Sequence, residues 1–256
     1  MSSKSPVLIL TGASRGLGLA VLRILLTKHN ARVATLSRTI TPELKGLADE
    51  VGQDRILPVR GDVSKPEDNV RAVEETANKW GQVDGLVLNA GTIDPGKIAD
   101  LPTSSLIPYV QTNLLSTIYL VQPALPYLRK SKGKVVLVSS GASTTGYQAW
   151  GLYSMAKAGM NSLARTLAAE ERENGVSVYA IRPGMVNTDM QALLRDKGPS
   201  SMHPSEMVKF QSAFEKGELL PPEQPGAIIA GLAVAGPNEL SGEYINWADE
   251  RLQSLA

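Results

Sequence analysis

Short apolar runs alternate with amphipathic stretches along nearly the whole chain of 256 residues. The apolar runs are rich in Val, Ile and Leu, as in strands covered on both faces; they are Val7–Leu10, Arg32–Leu36, Arg55–Val59, Gly85–Leu88, Val135–Val138, Ser177–Ile181 and Glu243–Trp247. The stretches between them have helical periodicity and are Leu17–Lys28, Pro42–Val51, Pro66–Trp80, Ser104–Arg129, Leu152–Asn174 and Pro222–Ala235. This alternation predicts an α/β fold, with a doubly wound parallel sheet of about seven strands and helices on both faces.

One segment, from Asp189 to Leu220, interrupts the alternation. It contains glycines and prolines around an amphipathic piece, Glu206–Phe214, and it follows the end of a predicted strand. Ligand crevices lie at the carboxyl ends of strands in such sheets. No linker or charge block divides the chain. We therefore predict one domain, residues 1–256, with a small substrate lid at about 189–220; a simple surface excursion is the alternative.

Composition removes several classes of function. Lys and Arg number 26 against 25 Asp and Glu, so the chain has no strong field for nucleic acid or an acidic membrane. Cysteine is absent, which excludes disulfides, thiolate chemistry and a Cys-built zinc site and is compatible with a cytoplasmic protein; we expect no metal site. Leu101–Leu128 has no charged residue, but its prolines and side-chain amides predict a buried helix, at a subunit interface or within the subunit, rather than a membrane span.

A glycine-rich turn, T-G-A-S-R-G-L-G at Thr11–Gly18, lies between the first strand and the first helix. Gly12, Gly16 and Gly18 allow a tight turn and a close approach of backbone to a diphosphate at the helix N-terminus. The same letters spell G-x-S-x-G, the nucleophile elbow of hydrolases, with Ser14 as nucleophile. For that alternative His29 would lie too far from Ser14, about 20 Å along the helix, whereas His203 follows Asp189 and keeps the Ser–Asp–His chain order open. Because the elbow would follow the first predicted strand, we expect no upstream loop to supply the usual oxyanion hole.

The end of the second strand reads Ser37-Arg38-Thr39, where an NAD-binding protein normally has a carboxylate for the ribose hydroxyls. Arg38, and Arg15 in the glycine turn, suit a 2′-phosphate instead, because guanidinium binds phosphate in a bidentate manner. The sequence therefore favours NADP(H) over NAD(H). Two solvated loop arginines are the alternative.

A phenol and an ammonium lie four residues apart in Y-S-M-A-K, Tyr153–Lys157, and hence on one face of the predicted helix. A positive charge about 4 Å from a phenol, at an effective dielectric near 20, is worth roughly 4 kcal/mol. We expect Lys157 to lower the pKa of Tyr153 towards neutrality and make it a usable proton donor. A solvated surface pair is the alternative for this spacing alone.

Together with further motifs, these segments resemble the short-chain dehydrogenases/reductases over essentially the whole chain. The further motifs are G-D-V (Gly61–Val63), N-A-G (Asn89–Gly91), Asn113 within a helix, V-S-S (Val138–Ser140) and P-G-M-V-N-T (Pro183–Thr188). The resemblance implies a Rossmann-like fold, hydride transfer between NADP(H) and a carbonyl or alcohol, and a homo-oligomer, dimer or tetramer. A small-molecule carbonyl substrate is the implied partner.

The resemblance also implies roles for individual residues. Tyr153 would protonate the substrate carbonyl, Ser140 would orient its oxygen, Lys157 would bind the nicotinamide ribose, and Asn113 would hold a water that supplies protons to Lys157. The implied cofactor-binding residues are Gly12, Ser14, Arg15, Gly16, Leu17, Gly18, Ser37, Arg38, Asp62, Val63, Asn89, Ala90, Gly91, Tyr153, Lys157, Pro183, Gly184, Val186 and Thr188.

Within the family the chain is most similar to benzil reductases and, more distantly, to sepiapterin reductases. The relevant segments are S-S-G-A-S (Ser139–Ser143), Gly198–Pro204 and the C-terminal Trp247–Leu252. Reduction of an aromatic ketone or α-dicarbonyl is the implied reaction. Met and aromatic residues in and before the lid are typical of sites for bulky apolar ligands; these are Tyr147, Trp150, Met185, Met190, Met202, Met207, Phe210 and Phe214. An oxidative alcohol dehydrogenase and a non-catalytic nucleotide sensor are the alternatives.

Overall fold

Seven parallel strands form the central sheet in the computed structural model, which describes residues 5–256. They are β1 (Val7–Thr11), β2 (Arg32–Ser37), β3 (Ile56–Arg60), β4 (Gly85–Leu88), β5 (Lys134–Val138), β6 (Ser177–Arg182) and β7 (Tyr244–Asn246). Their order across the sheet is β3-β2-β1-β4-β5-β6-β7. Each strand overlaps its predicted run, so the prediction of a doubly wound parallel sheet is confirmed.

Helices cover both faces of the sheet. Their bounds are α1 (Gly16–Thr27), α2 (Pro42–Val51), α3 (Pro66–Trp80), α4 (Thr103–Val110), α5 (Ser116–Ser131), α6 (Gly151–Glu170), α7 (Asp189–Lys197), α8 (Pro204–Glu215) and α9 (Glu223–Ala235). None of the helices within residues 5–256 has the length and apolar character needed to cross a membrane.

The long uncharged stretch differs from its prediction in two ways. It forms α4 and α5 joined by one π-helical turn, Gln111–Leu115, rather than a single regular helix. It is also not a buried helix throughout, because no residue of α4 is buried and Ile107 is 67% exposed. Only one face of α5 enters the core.

Two apolar layers sandwich the sheet, because successive side chains of a strand point to opposite faces. On β1, Leu8 and Leu10 pack with α1, α2 and α9, whereas Ile9 packs in the layer that contains residues of α3, α5 and α6. Every residue of β1 is therefore buried, which explains why this strand appears in the sequence as a continuous apolar run.

The strand order reverses between β1 and β4, because the chain builds outward in one direction through β2 and β3 and in the other through β5, β6 and β7. In open parallel sheets the carboxyl ends of strands at such a reversal form the ligand crevice. The glycine turn after β1 and the segments after β4, β5 and β6 all lie at this edge. The predicted motifs are thus collected at one end of the sheet.

The predicted lid contains two helices, α7 and α8, joined through a short 3₁₀ turn at Gly198–Ser200. Its two ends are held together, since Val186 and Leu220 form an isolated parallel bridge. The amide of Asn187 donates to the Leu220 carbonyl, and the amide of Leu220 donates to the Met185 carbonyl, both at 2.8 Å. The two ends of the predicted lid are therefore adjacent to each other where they join the rest of the fold.

Candidate active site

The backbone of the turn between β1 and α1 is folded so tightly that its glycine positions leave no room for side chains. Gly12 and Gly16 have φ angles of +70° and +52°, a conformation that other residues rarely adopt. A Cβ on Gly18 would lie 2.1 Å from the Gly12 carbonyl oxygen. The first turn of α1 receives no side-chain hydrogen bond from its N-cap residue, Arg15. A glycine cradle before an uncapped helix start fits the diphosphate of a dinucleotide.

Asn89 and Thr11 brace this glycine turn. The Asn89 side-chain amide donates to the carbonyl oxygens of Thr11 at 3.1 Å and Gly12 at 3.2 Å. The Thr11 hydroxyl accepts from the backbone amides of Asn89 and Ala90, both at 3.0 Å. The resemblance implied that Asn89 binds the cofactor; its side-chain amide holds the end of β4 against the turn.

Three cations converge at the carboxyl ends of β2 and β3. Arg38, Lys45 and Arg60 line a cavity of about 340 Å³ together with Thr39 and Ile40. Arg60 reaches it because Ser37 and Arg60 are register partners at the ends of the two strands. None of the three cations forms an ion pair within residues 5–256. Grouped, uncompensated cations make a site for an anion.

Arg15 does not line this cavity. Its guanidinium pairs with the Asp189 carboxylate at 3.0 Å, and both side chains are 72% exposed. An ion pair this exposed is worth little. Of the two arginines that sequence reasoning placed at the 2′-phosphate, the structure therefore brings only Arg38 to the cavity, and it adds Lys45 and Arg60, which that reasoning missed.

Ser37 ends β2, and Asp62 and Val63 follow the end of β3, close in sequence to the residues that line this cavity. The Ser37 hydroxyl accepts a hydrogen bond from the Ala13 amide at 3.2 Å and so ties β2 to the glycine turn. The Asp62 carboxylate accepts from the amide and the hydroxyl of Ser64, both at 2.9 Å. Val63 is buried in a small apolar cluster that Ala90 contacts. All three therefore have structural partners of their own.

Tyr153 and Lys157 lie one helical turn apart on α6 and are both buried, with 8% and 4% of their surfaces exposed. The Lys157 Nζ donates to the Val138 carbonyl at 2.7 Å and lies 5.7 Å from the centroid of the Tyr153 ring. Ser140 follows β5, and its hydroxyl accepts from the Ala142 amide at 3.2 Å. The end of β5 and the first turns of α6 thus bring a serine, a tyrosine and a lysine together.

The electrostatics of this group differ from the expectation. Burial raises the pKa of Tyr153, and a hydrogen bond with Ser140 opposes that rise without reversing it. Burial also lowers the pKa of Lys157 to about 8, so the lysine is charged at neutral pH but becomes neutral at moderately higher pH. The expectation that Lys157 lowers the pKa of Tyr153 is therefore wrong for the protein alone, because the loss of water around the buried phenol dominates its pKa.

Asn113 sits in the π-helical turn between α4 and α5 and is almost fully buried. Its Oδ1 accepts from the Thr92 amide at 2.8 Å, and its Nδ2 donates to the Tyr109 carbonyl at 3.1 Å. A Cβ on Gly91 would lie 3.1 Å from the Asn113 Oδ1 and 3.8 Å from the Lys157 Nζ. Gly91 therefore lies against both the Asn113 and the Lys157 side chains. Single π-helical turns often occur at functional sites.

The segment after β6 meets the glycine turn from the opposite side. A Cβ on Gly16 would lie 3.1 Å from the Thr188 Cγ2, so the two loops are in contact. Gly184 has a φ of +81°, and a Cβ there would lie 2.7 Å from Leu220 and 3.1 Å from Trp247. Pro183, Gly184, Val186 and Thr188 thus form the bridge from the sheet to the lid.

An aromatic cluster covers Tyr153 on the lid side. The Trp150 ring lies 5.6 Å from Tyr153 in an edge arrangement and stacks on Phe210 of α8 at 5.5 Å, while Tyr147 lies 4.8 Å from Trp150. Met202 and Leu194 are buried in the same cluster, and Met185, Met190 and Met207 pack against it. Phe214 is an exception among the expected residues, because it is 48% exposed and lies against Arg195.

The hydrolase alternative finds no support in the arrangement around Ser14. His203 is exposed at the start of α8, and its Nδ1 forms a hydrogen bond of 2.8 Å with the neighbouring Ser205. No hydrogen bond joins Ser14 to a histidine within residues 5–256. Without a base, the Ser14 hydroxyl has no means of activation.

Comparison with known proteins agrees with this geometry. The family model described as short chain dehydrogenase matches residues 6–198. The chain belongs to the short-chain dehydrogenase/reductase family, and it is an oxidoreductase. This fold and family imply a nicotinamide cofactor.

Individual relatives share nearly the full length of the chain. A benzil reductase ((S)-benzoin forming) of Saccharomyces cerevisiae is 33% identical over 96% of this chain and 97% of its own. Among solved structures, a Saccharomyces cerevisiae short-chain dehydrogenase/reductase has 34% identity and a TM-score of 0.93, covering 98% of this chain and 99% of its own. The enzyme KRED1-Pglu has 39% identity and a TM-score of 0.89, covering 94% and 100%.

Proposed function

We propose that the protein reduces a ketone or α-dicarbonyl to the alcohol with NADPH. The observation that carries the proposal is the buried pair of Tyr153 and Lys157 with the half-buried Ser140 beside it, which lies between the glycine turn and an aromatic cluster. Burial of an amine and a phenol costs free energy, and that cost supports a functional role for the pair. Its position at the sheet reversal is where α/β proteins bind ligands.

Each polar residue has a separate part in this reaction. A bound nicotinamide cofactor supplies the hydride that reduces the carbonyl carbon. Tyr153 donates its proton to the carbonyl oxygen, which Ser140 orients by a hydrogen bond. Lys157, with a pKa of about 8, exchanges protons near neutral pH and restores the phenol. Asn113 holds the backbone around Gly91 beside Lys157, at the place where water would supply those protons.

The choice of NADP(H) over NAD(H) rests on the cavity lined by Arg38, Lys45 and Arg60. The 2′-phosphate carries close to two negative charges, whereas a ribose hydroxyl carries none. Guanidinium and ammonium groups would hold that phosphate through charge-assisted hydrogen bonds. Among residues 5–256, no carboxylate lines this cavity to favour the ribose hydroxyl.

The substrate class follows from the cluster above Tyr153. Trp150 and Phe210 are buried and stacked on each other with Tyr147 beside them, so these rings form an apolar wall, and the methionines around them adapt to irregular shapes. Such a wall suits an aromatic ketone, a benzil-like diketone or a pterin-type carbonyl. The yeast relative named benzil reductase supports the diketone among these.

Three further parts of the proposal concern its setting. Oxidation of an alcohol by the same residues is the reverse reaction, and the cofactor ratio decides the direction. Ile98, Ile107 and Met155 are exposed around α4 and α6, which supports association into a dimer or tetramer. We place the protein in the cytoplasm, consistent with its lack of cysteine.

The test is a panel of substrates assayed with NADPH and with NADH. Diketones, aryl aldehydes and pterin-like carbonyls should be reduced, with NADPH preferred and the diketone turned over fastest. Stable binding of NADPH with no turnover of any carbonyl would favour the nucleotide-sensor alternative. A preference for NADH would remove the phosphate-binding part of the proposal.

A further inference from the structure

A buried asparagine continues the stripe of Tyr153 and Lys157 along α6. Asn161 lies four residues beyond Lys157 and is 6% exposed, so the three side chains share one face of the helix. Its Oδ1 accepts from the Ser139 hydroxyl at 2.6 Å, and its Nδ2 donates to the Ser143 hydroxyl at 2.8 Å. Both ends of the buried amide are thus satisfied by one loop, residues 139–143.

The two serines held by Asn161 lie on either side of Ser140 in that loop. The Ser143 hydroxyl, which accepts from Asn161, donates in turn to the Ser140 carbonyl at 2.6 Å. The same carbonyl accepts from the Ser143 amide at 3.0 Å and from the Tyr244 hydroxyl of β7 at 2.9 Å. Three donors on one carbonyl fix the orientation of the Ser140 backbone.

That orientation determines where the Ser140 hydroxyl can donate its hydrogen. Because the Ala142 amide donates to the Ser140 Oγ at 3.2 Å, the hydroxyl is held as an acceptor on one side. Its single hydrogen is left for a partner in the crevice. A small rotation of the loop would turn that hydrogen away from Tyr153 and from a substrate oxygen.

We propose that Asn161 is a positioning residue. Through its hydrogen bonds with Ser139 and Ser143, here called the Asn161 clamp, it holds the Ser140 hydroxyl in a fixed position relative to Tyr153 and Lys157. One rigid helix then carries the acid, the lysine and the group that aligns the serine. The importance of this alignment for catalysis rests on the proposed function. The clamp on residues 139–143 is a property of the folded chain alone and is tested separately.

The clamp is tested by amide hydrogen exchange. In Asn161→Ala the amides of Ala142 and Ser143 should exchange faster than in the original protein, and Ser143→Ala should give part of the same effect. Ser162→Ala, at the exposed neighbouring position, should change neither amide. Unchanged exchange in Asn161→Ala would overturn the inference whatever reaction the protein performs.

The positioning role is tested by kinetics in two backgrounds. Asn161→Ala should lower kcat by about tenfold or more, as misplacement of a reacting group does, with little change in KM or NADPH affinity. In a Ser140→Ala background the same substitution should lower kcat no further. A merely structural role would lower Tm in both backgrounds and would keep its effect on kcat in both.

A second variant keeps the test informative if Asn161→Ala folds poorly. Asn161→Asp has the same size and still accepts from Ser139, but it cannot donate to Ser143. It should show the same dependence on Ser140. If exchange increases while Ser140→Ala retains full turnover, the clamp stands and the proposed catalytic role of Ser140 fails. If Ser140→Ala is impaired and both Asn161 variants retain full kcat, the positioning role fails.

Discussion

The two halves of the crevice, which we propose bind the cofactor and the substrate respectively, are built by different means. The cofactor half, at the ends of β1, β2 and β3, consists of backbone bends at glycines and of cations at the surface. The substrate half, at the end of β5, the start of α6 and the lid, consists of buried side chains in contact with one another. A substitution in the cofactor half should therefore change affinity, and one in the substrate half should change turnover.

The largest effect is expected from Tyr153→Phe in the substrate half. Removal of the proton donor should lower kcat by about 10² to 10⁴-fold, the usual contribution of a general acid. NADPH affinity, measured by fluorescence titration, should stay the same because the glycine turn and the cation cavity are untouched. Tyr119→Phe on α5 is the matched control and should behave like the original protein. Undiminished turnover in Tyr153→Phe would remove the catalytic assignment.

A smaller effect, confined to affinity, is expected in the cofactor half. Arg60→Ala should raise the Kd for NADPH by about tenfold or more, since a hydrogen bond to a charged group contributes about 1.5–3 kcal/mol, and should leave the Kd for NADH unchanged. Lys45→Ala should act in the same direction. Arg15→Ala removes the same charge outside the cavity and serves as the control. If Arg15→Ala weakened NADPH more than Arg60→Ala did, the cavity would not be the phosphate site.

The pH dependence should report the substrate half. Lys157 is charged below about pH 8 and neutral above it. Reduction needs the protonated forms of Lys157 and Tyr153, so kcat/KM should be level at lower pH and fall above about pH 8. The slope should approach tenfold per pH unit. A profile that stayed level well above pH 8 would show that the charge of Lys157 is not required.

The smallest effect should come from a position outside both halves. Lys132 ends α5 with a φ of +53°, whereas Gly81 ends α3 in the same left-handed region with a φ of +75°. Lys132→Gly should raise the free energy of unfolding by about 1 kcal/mol, and Gly81→Ala should lower it by about as much. Denaturant titration measures both. Neither change should alter kcat, so a kinetic change here would mean that stability contributes to the effects above.

Much of the fold and part of the site were predictable because they depend on short-range pattern. Buried parallel strands are continuous apolar runs, and the glycine turn, Tyr153 and Lys157 are each recognised within a few residues. Sequence reasoning missed Lys45, Arg60 and Asn161, because the role proposed for each depends on contact with residues that are distant in sequence. Arg60 reaches the cavity only through its register with Ser37. Arg60 could have been found by looking for cations at the end of the strand predicted to pair with β2.

The shift in the pKa of Tyr153 was unpredictable for a related reason. Spacing along a helix gives the direction of Lys157 from Tyr153 but not the amount of water around either group. Burial raises the pKa of Tyr153, where a decrease was expected, and it lowers the pKa of Lys157. The π-helical turn at Asn113 could likewise not be predicted from the sequence, because the residues around it have ordinary helical periodicity.

The bridge between Val186 and Leu220 has a consequence for how such a protein can diversify. A segment closed at its base by backbone hydrogen bonds depends little on its own sequence for its point of attachment. Residues between the two anchors can be exchanged, lengthened or shortened as a cassette while the strands and the glycine turn keep their places. New substrate preferences would then arise by replacing the cassette, with the hydride-transfer machinery inherited unchanged.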